Sequence, residues 1–196
     1  MLPGAFGKGA RRGDRGALPC GRRLPCAVGS SSPCGLGATE HDSSAAADGT
    51  PRLSDYAQRV IGELDLAPHP EGGWYRRTWQ SALATDASGN RPLASCIYFL
   101  LPAGDASAWH VVDADELWLW HGPGAVTLEL GGNGEQPDER GARRVTLRVD
   151  NHGACGELIV PAGVWQRTLP ASEDALVSCV VSPGFTFDGF KLASQD

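Results

Sequence analysis

From Trp74 onward the chain breaks into short β-rich runs that no helical period accommodates. WYRRTWQ, SCIYFLL, AWHVV, ELWLWHG, AVTLEL, RRVTLRVD, ELIVP, VWQRTL, DALVSCVVSP and FTFDGF follow one another, parted by turn signals such as PAGD, GPG, GGNGEQPDERG, DNHG and PASED. About ten short strands with such breaks predict an all-β sandwich or barrel of the jelly-roll kind and argue against a βαβ fold. The 26 glycines and 14 prolines among 196 residues agree, since both residue types punctuate turns and shorten helices. One short N-terminal helix is expected ahead of the strands. Ser54 suits its N-cap, and Leu53, Tyr56, Val60, Ile61 and Leu64 share one face at helical spacing, so it should lie as a lid on a sheet. Between helix and first strand, APHPEGGWY carries two prolines and a glycine pair that forbid helix.

Composition divides the chain near residue 50. Residues 1–50 are Gly, Ala, Ser, Arg and Pro with almost no β-branched or aromatic side chains, too little apolar surface to offset chain entropy, so a disordered basic leader is expected. Its Arg-rich, acid-poor character is that of an organelle transit peptide, which implies a plastid or mitochondrion; otherwise the protein is expected in the cytoplasm. Residues 51–196 form the second unit. Up to residue 39 there are six basic side chains against Asp14 alone, whereas the remainder holds 11 basic and 22 acidic residues. So acidic a body repels phosphate backbones, and no nucleic-acid partner is expected. No apolar run approaches the ~20 residues of a membrane span. The six cysteines show no paired metal-ligand spacing and are read as free thiols in a reducing compartment.

Chemistry concentrates in SAWHVVDADELWLWHG, residues 107–122. Side chains two apart on a strand share a face, so His110 and Val112 point one way and Glu116, Trp118 and Trp120 share a face on the next strand. With His110 and Glu116 facing each other across a hairpin, an imidazole sits beside a carboxylate among aromatic side chains. Such a pair can ligate a metal, work as general acid and base, or form a buried ion pair. Arg76 and Arg77 alternate across one strand, so one guanidinium faces inward to clamp a carboxylate or phosphate. Arg76 is assigned to the pocket here, together with Tyr98, Trp118 and Gln166. His69 and Glu71 are expected to shape the Pro-Gly turn, and Asp113 and Asp115 to make local turn hydrogen bonds.

The segment from Gly104 to Gly124 resembles the first motif of the cupin superfamily. Gly104, His110 and Glu116 match it, whereas Val112 stands at the second histidine and the closing glycine is one position off. GELIVPAGVWQRTLP is similar to the second motif: Pro161 and Gly163 match, while Gln166 replaces the histidine and Pro170 the asparagine. HPEGGWYRRTW, CIYFLL, VDADELWLWHG, VPAGVWQ and SPGFTFDGF together resemble one small cupin family described as a domain of unknown function, over residues 53–193. Val111 stands where that family usually has arginine. The resemblance implies a double-stranded β-helix jelly roll, a homodimer, and a pocket at the barrel mouth that binds a small molecule. It points by analogy to epimerase or isomerase chemistry with His110 and Glu116 as catalytic residues. The alternatives are non-catalytic binding or storage and metal-dependent dioxygenation. No cofactor is expected; a divalent metal would have only His110, Glu116 and Gln166 to hold it, too weak a set for full occupancy.

Overall fold

The computed structural model describes residues 53–85 and 91–194. The leader predicted over residues 1–50 lies outside the described residues. A single α-helix, α1 (Asp55–Leu64), precedes twelve strands: β1 (Ala67–Pro68), β2 (Trp74–Gln80), β3 (Ser95–Leu101), β4 (His110–Val112), β5 (Asp115–Pro123), β6 (Val126–Leu130), β7 (Arg143–Asp150), β8 (Gly153–Cys155), β9 (Glu157–Val160), β10 (Gln166–Thr168), β11 (Ala175–Ser182) and β12 (Phe190–Leu192). They form two six-stranded sheets, ordered β1-β2-β3-β11-β5-β9 and β12-β4-β10-β6-β7-β8. Every strand pairing is antiparallel, and the chain folds as an all-β jelly roll with one short N-terminal helix.

The helix starts where its cap is. Ser54 keeps extended backbone angles and its hydroxyl accepts from the Ala57 amide at 3.0 Å, while Asp65 closes the last turn in the left-handed conformation. Ala57, Val60 and Leu66 bury themselves with Leu100, and Tyr56, Trp74, Tyr98 and Leu176 pack around them. The helix thus covers the outer face of the first sheet. The inner faces of both sheets meet in a second cluster that includes Phe99, Trp118, Val126, Leu128, Leu147 and Val177. A third, smaller cluster of Val112, Ala114 and Val181 with Phe185 and Phe190 closes one end of the barrel.

Two expectations are corrected. β4 and β5 do not form a hairpin: β4 pairs with β10 and β12, whereas β5 pairs with β11 and β9. The VDAD corner carries the chain from one sheet to the other, so His110 and Glu116 face each other across the barrel interior. FTFDGF is likewise not one strand. Phe187–Gly189 is a 3₁₀ turn and only Phe190 enters β12, because this segment must cross the barrel mouth before it pairs.

Candidate functional site: an acid and imidazole cluster in an aromatic pocket

A cavity of about 580 Å³ opens between the inner core and the end cluster. Strand parity builds its walls. On β3, Ser95, Ile97 and Phe99 face in; on β11, Cys179 and Val181 do; β4 contributes His110 and Val112, and β5 contributes Glu116. The rest comes from the turn before β2, with His69 and Glu71, and from the segment after β11, with Phe185 and Phe187. That last segment is pinned over the mouth: the Phe185 amide donates to Ser95 Oγ at 2.9 Å, and Arg91 donates to the Gly184 carbonyl at 2.7 Å. Arg91 also forks onto Asp113 at 3.0 and 2.6 Å, so Asp113 ties the VDAD corner to this strap.

The turn reaches the site because of Gly72. Its φ is +107°, and a Cβ there would lie 2.4 Å from the Ala106 carbonyl oxygen. With no side chain at that point, the turn lies flat against residues 106–108, and the Ala108 amide donates to the Glu71 carbonyl at 2.6 Å. Glu71 is thereby turned into the barrel and buried.

At the floor, Glu71 Oε2 lies 3.4 Å from His110 Nε2 and 3.5 Å from His69 Nδ1. These separations are short for charges but long for direct hydrogen bonds, and His69 Nδ1 also accepts from the Glu71 amide at 3.4 Å. His110 Nδ1 is 2.8 Å from the Ala108 carbonyl, which can only accept, so in neutral His110 the proton sits on Nδ1 and Nε2 offers its lone pair to the pocket. Burial pushes the His110 imidazole down to about 4, against the Ala108 bond that favours its charged form, and the nearby His69 adds to the lowering. Burial brings His69 down to about 4 as well. Burial raises the Glu71 carboxyl well above the usual range, and the Glu116 carboxylate pushes the same way. Glu116 is also raised by burial, against hydrogen bonds from Gln166, Cys179 and Trp118 that favour its ionised form. Burial thus favours the uncharged forms of both imidazoles and of the Glu71 carboxyl.

The residues predicted from sequence take different places. His110 and Glu116 line the cavity. Gln166 and Trp118 stand behind it: Gln166 Nε2 donates to Glu116 Oε2 at 2.5 Å, and Trp118 Nε1 donates to Gln166 Oε1 at 3.1 Å, all of it buried. Gln166 thus fixes the orientation of Glu116. Tyr98 faces the other way, into the cluster under α1, because its parity is opposite to that of Ile97 and Phe99. Arg76 pairs across from Tyr98 and is drawn to the helix end, donating to the Leu64 carbonyl at 3.1 Å with Asp65 at 3.6 Å, so only its edge reaches the rim. Arg77, opposite Ile97, is the arginine on the inward face. His69 and Glu71, read as turn residues, belong to the site. The available signal was their spacing: they continue the odd-numbered parity of Tyr75 and Arg77 into the turn.

A comparison with known families matches residues 58–193 to the family described as Cupin superfamily (DUF985). The chain belongs to this cupin family. Two solved structures of similar sequence agree in fold. One, an X-ray structure of a protein from Shewanella oneidensis, is 36% identical over 73% of this chain and 85% of that one, with a TM-score of 0.62. The other, a hypothetical protein from Leishmania major, is 31% identical over 69% of this chain and 85% of that one, with a TM-score of 0.59. A comparison with curated proteins finds no match.

In a metal-binding cupin the second histidine of the first motif and the histidine of the second motif complete the ligand set. Here Val112 offers no donor and the Gln166 amide is already held between Glu116 and Trp118. Among the described residues no group of three or more His, Cys, Asp or Glu is disposed to hold a metal ion. These residues do not fit a three-histidine, one-glutamate centre, and no chemical step is routed through one. Among the described residues no helix is long and apolar enough to cross a membrane.

Proposed function

We propose that this cupin binds a small molecule in its barrel pocket and moves a proton on it, as an isomerase or epimerase does. The observation that carries the reading is the buried Glu71 carboxyl set 3.4 Å from the His110 imidazole and 3.5 Å from that of His69. A pair whose surroundings push their proton affinities apart is what general acid-base catalysis at neutral pH needs. His110 Nε2 takes a proton from a carbon next to a carbonyl, the C–H electron pair moves into a carbon–carbon double bond, and the carbonyl oxygen receives the proton that Glu71 gives up. Return of the proton from His110 to the same face regenerates the substrate with exchanged hydrogen; inversion of the carbon needs a proton delivered by water to the opposite face, His110 then passing its own proton to water while the oxygen proton returns to Glu71, with no oxidant or reductant. Glu116, oriented by Gln166, adds to the effect of burial in raising the proton affinity of Glu71 and takes no part in bond making. The family resemblance adds a homodimeric assembly to this proposal, to be read by native mass spectrometry.

The test is solvent deuterium exchange into enolisable carbonyl compounds, followed by NMR. Exchange is expected with wild-type protein, with His110→Gln and Glu71→Gln each losing about 10²–10⁴-fold, the usual worth of a positioned acid or base. Exchange that is equally fast in both variants overturns the proposal. Ligand binding without exchange by the wild type would leave a non-catalytic binding protein.

A further inference from the structure

The cavity has two arginines at its rim, and they differ in what they are paired with. Arg76 is committed to Asp65. Arg77 has no salt-bridge partner among the described residues; its guanidinium donates to the Phe185 carbonyl at 3.2 Å and lies 3.5 Å from Gln80 Oε1, both neutral acceptors. Register puts it on the inner face, in a row with Ile97 and Cys179, which both line the cavity. A cation left uncompensated at the mouth of a pocket is a receptor for an anion.

The wall beside it is aromatic. Tyr75, Phe185 and Phe187 line the same cavity. Phe185 and Phe187 meet edge to face at 5.2 Å and 83°, and Phe187 is 55% exposed although it borders the pocket. Its ring lies near-parallel to that of His69, 6.5 Å away at 23°, so the aromatic wall runs from the rim down to the floor. The floor sets the charge limit. Glu71 and Glu116 are buried there together, and of the two arginines that line the cavity Arg76 already faces Asp65 at 3.6 Å, which leaves Arg77 as the lining cation with no acidic partner among the described residues. One charge suits a carboxylate; a phosphate dianion would bring a second negative charge toward the buried Glu116 and toward Asp65, which also lines the cavity.

We propose that the pocket takes a ring-bearing monocarboxylate, its anion on Arg77 and its ring against Phe187 and Tyr75, and that Arg77 is the residue that sets this specificity. The choice of ligand class rests on the proton-transfer reading only for the carbonyl that such a ligand turns toward His110.

The full-length protein is titrated with phenylpyruvate, its methyl ester and phenyl phosphate, with binding followed by NMR and deuterium exchange at C3 measured over the spontaneous rate. Phenylpyruvate is expected to bind more tightly than either competitor, by roughly tenfold to a hundredfold over the ester, the worth of a charge-assisted hydrogen bond. Arg77→Gln, which can still donate to the Phe185 carbonyl, should erase that preference, and Arg77→Lys should restore much of it. An ester that binds as well as the acid, a preference that survives Arg77→Gln, or stronger binding of phenyl phosphate would each overturn the assignment. Arg77-dependent binding without accelerated exchange would keep the ligand class and remove the proton-transfer reading. Accelerated exchange of ester and acid alike would do the reverse.

Discussion

In water a glutamate releases its proton about two pH units below a histidine; between Glu71 and His110 burial inverts that order. The inversion has a stability signature whose sign differs for the two groups. His110 and His69 have folded values near 4, below their unfolded value, so the stability they contribute is present above about pH 6.5 and is lost as pH falls toward 4. Glu71 and Glu116 are raised in the fold, so theirs is present below the ordinary carboxylate range and is lost as pH rises through the raised values. Thermal unfolding across pH should therefore show an optimum with loss on both sides. Glu71→Gln should flatten the alkaline side and leave the acid side in place; an unchanged alkaline decline would mean that Glu71 is ionised at rest. Gln166 is a positioning residue. Gln166→Leu strips partners from Glu116 and from Trp118 Nε1 and should cost about 2–4 kcal/mol in denaturant unfolding, since each buried polar group left unpaired costs about 1–3 kcal/mol.

The N-terminal helix and the turn after it show how short elements fix the pocket. Ser54 caps the helix and also donates to Asp174, which accepts the Ala103 amide at 2.8 Å. Ser54→Ala should cost about 1 kcal/mol, more than an exposed surface change, and calorimetry reads it directly. Gly72→Ala should do something different. A side chain at that positive φ, facing the Ala106 carbonyl, should displace the turn, with about 1–3 kcal/mol of strain and loss of ligand binding, because His69 and Glu71 move with it. Much of this architecture was legible in the sequence. The helix, its cap and nine of the ten expected runs became the elements predicted, because amphipathic period and turn residues act locally. The partner of β4 was not legible, since alternation fixes which face a side chain takes but not which sheet the strand joins. Tyr98 was misplaced for a related reason: both faces of β3 are apolar, one toward the barrel and one toward α1, so parity alone left inside and outside undecided.

Across the molecule, the two ends of the barrel divide the labour. One end of the barrel is filled with aliphatic and aromatic side chains and holds the fold together, while the other is left hollow and lined with groups that cost stability to bury. Four ionisable side chains brought together from a turn and two opposed sheets, with neither imidazole charged, are a poor way to stabilise a protein and a good way to handle a proton. Nitrogen-15 NMR of the histidine rings across a pH titration tests this most directly. His110 should appear as the Nδ1-protonated neutral tautomer at pH 7 and titrate near 4, and in Glu71→Gln it should still be neutral at pH 7. A His110 that is charged at neutral pH would make the floor an ion pair, and a neutral one that carries its proton on Nε2 would have no lone pair there to take a proton; either would contradict the proton-transfer site.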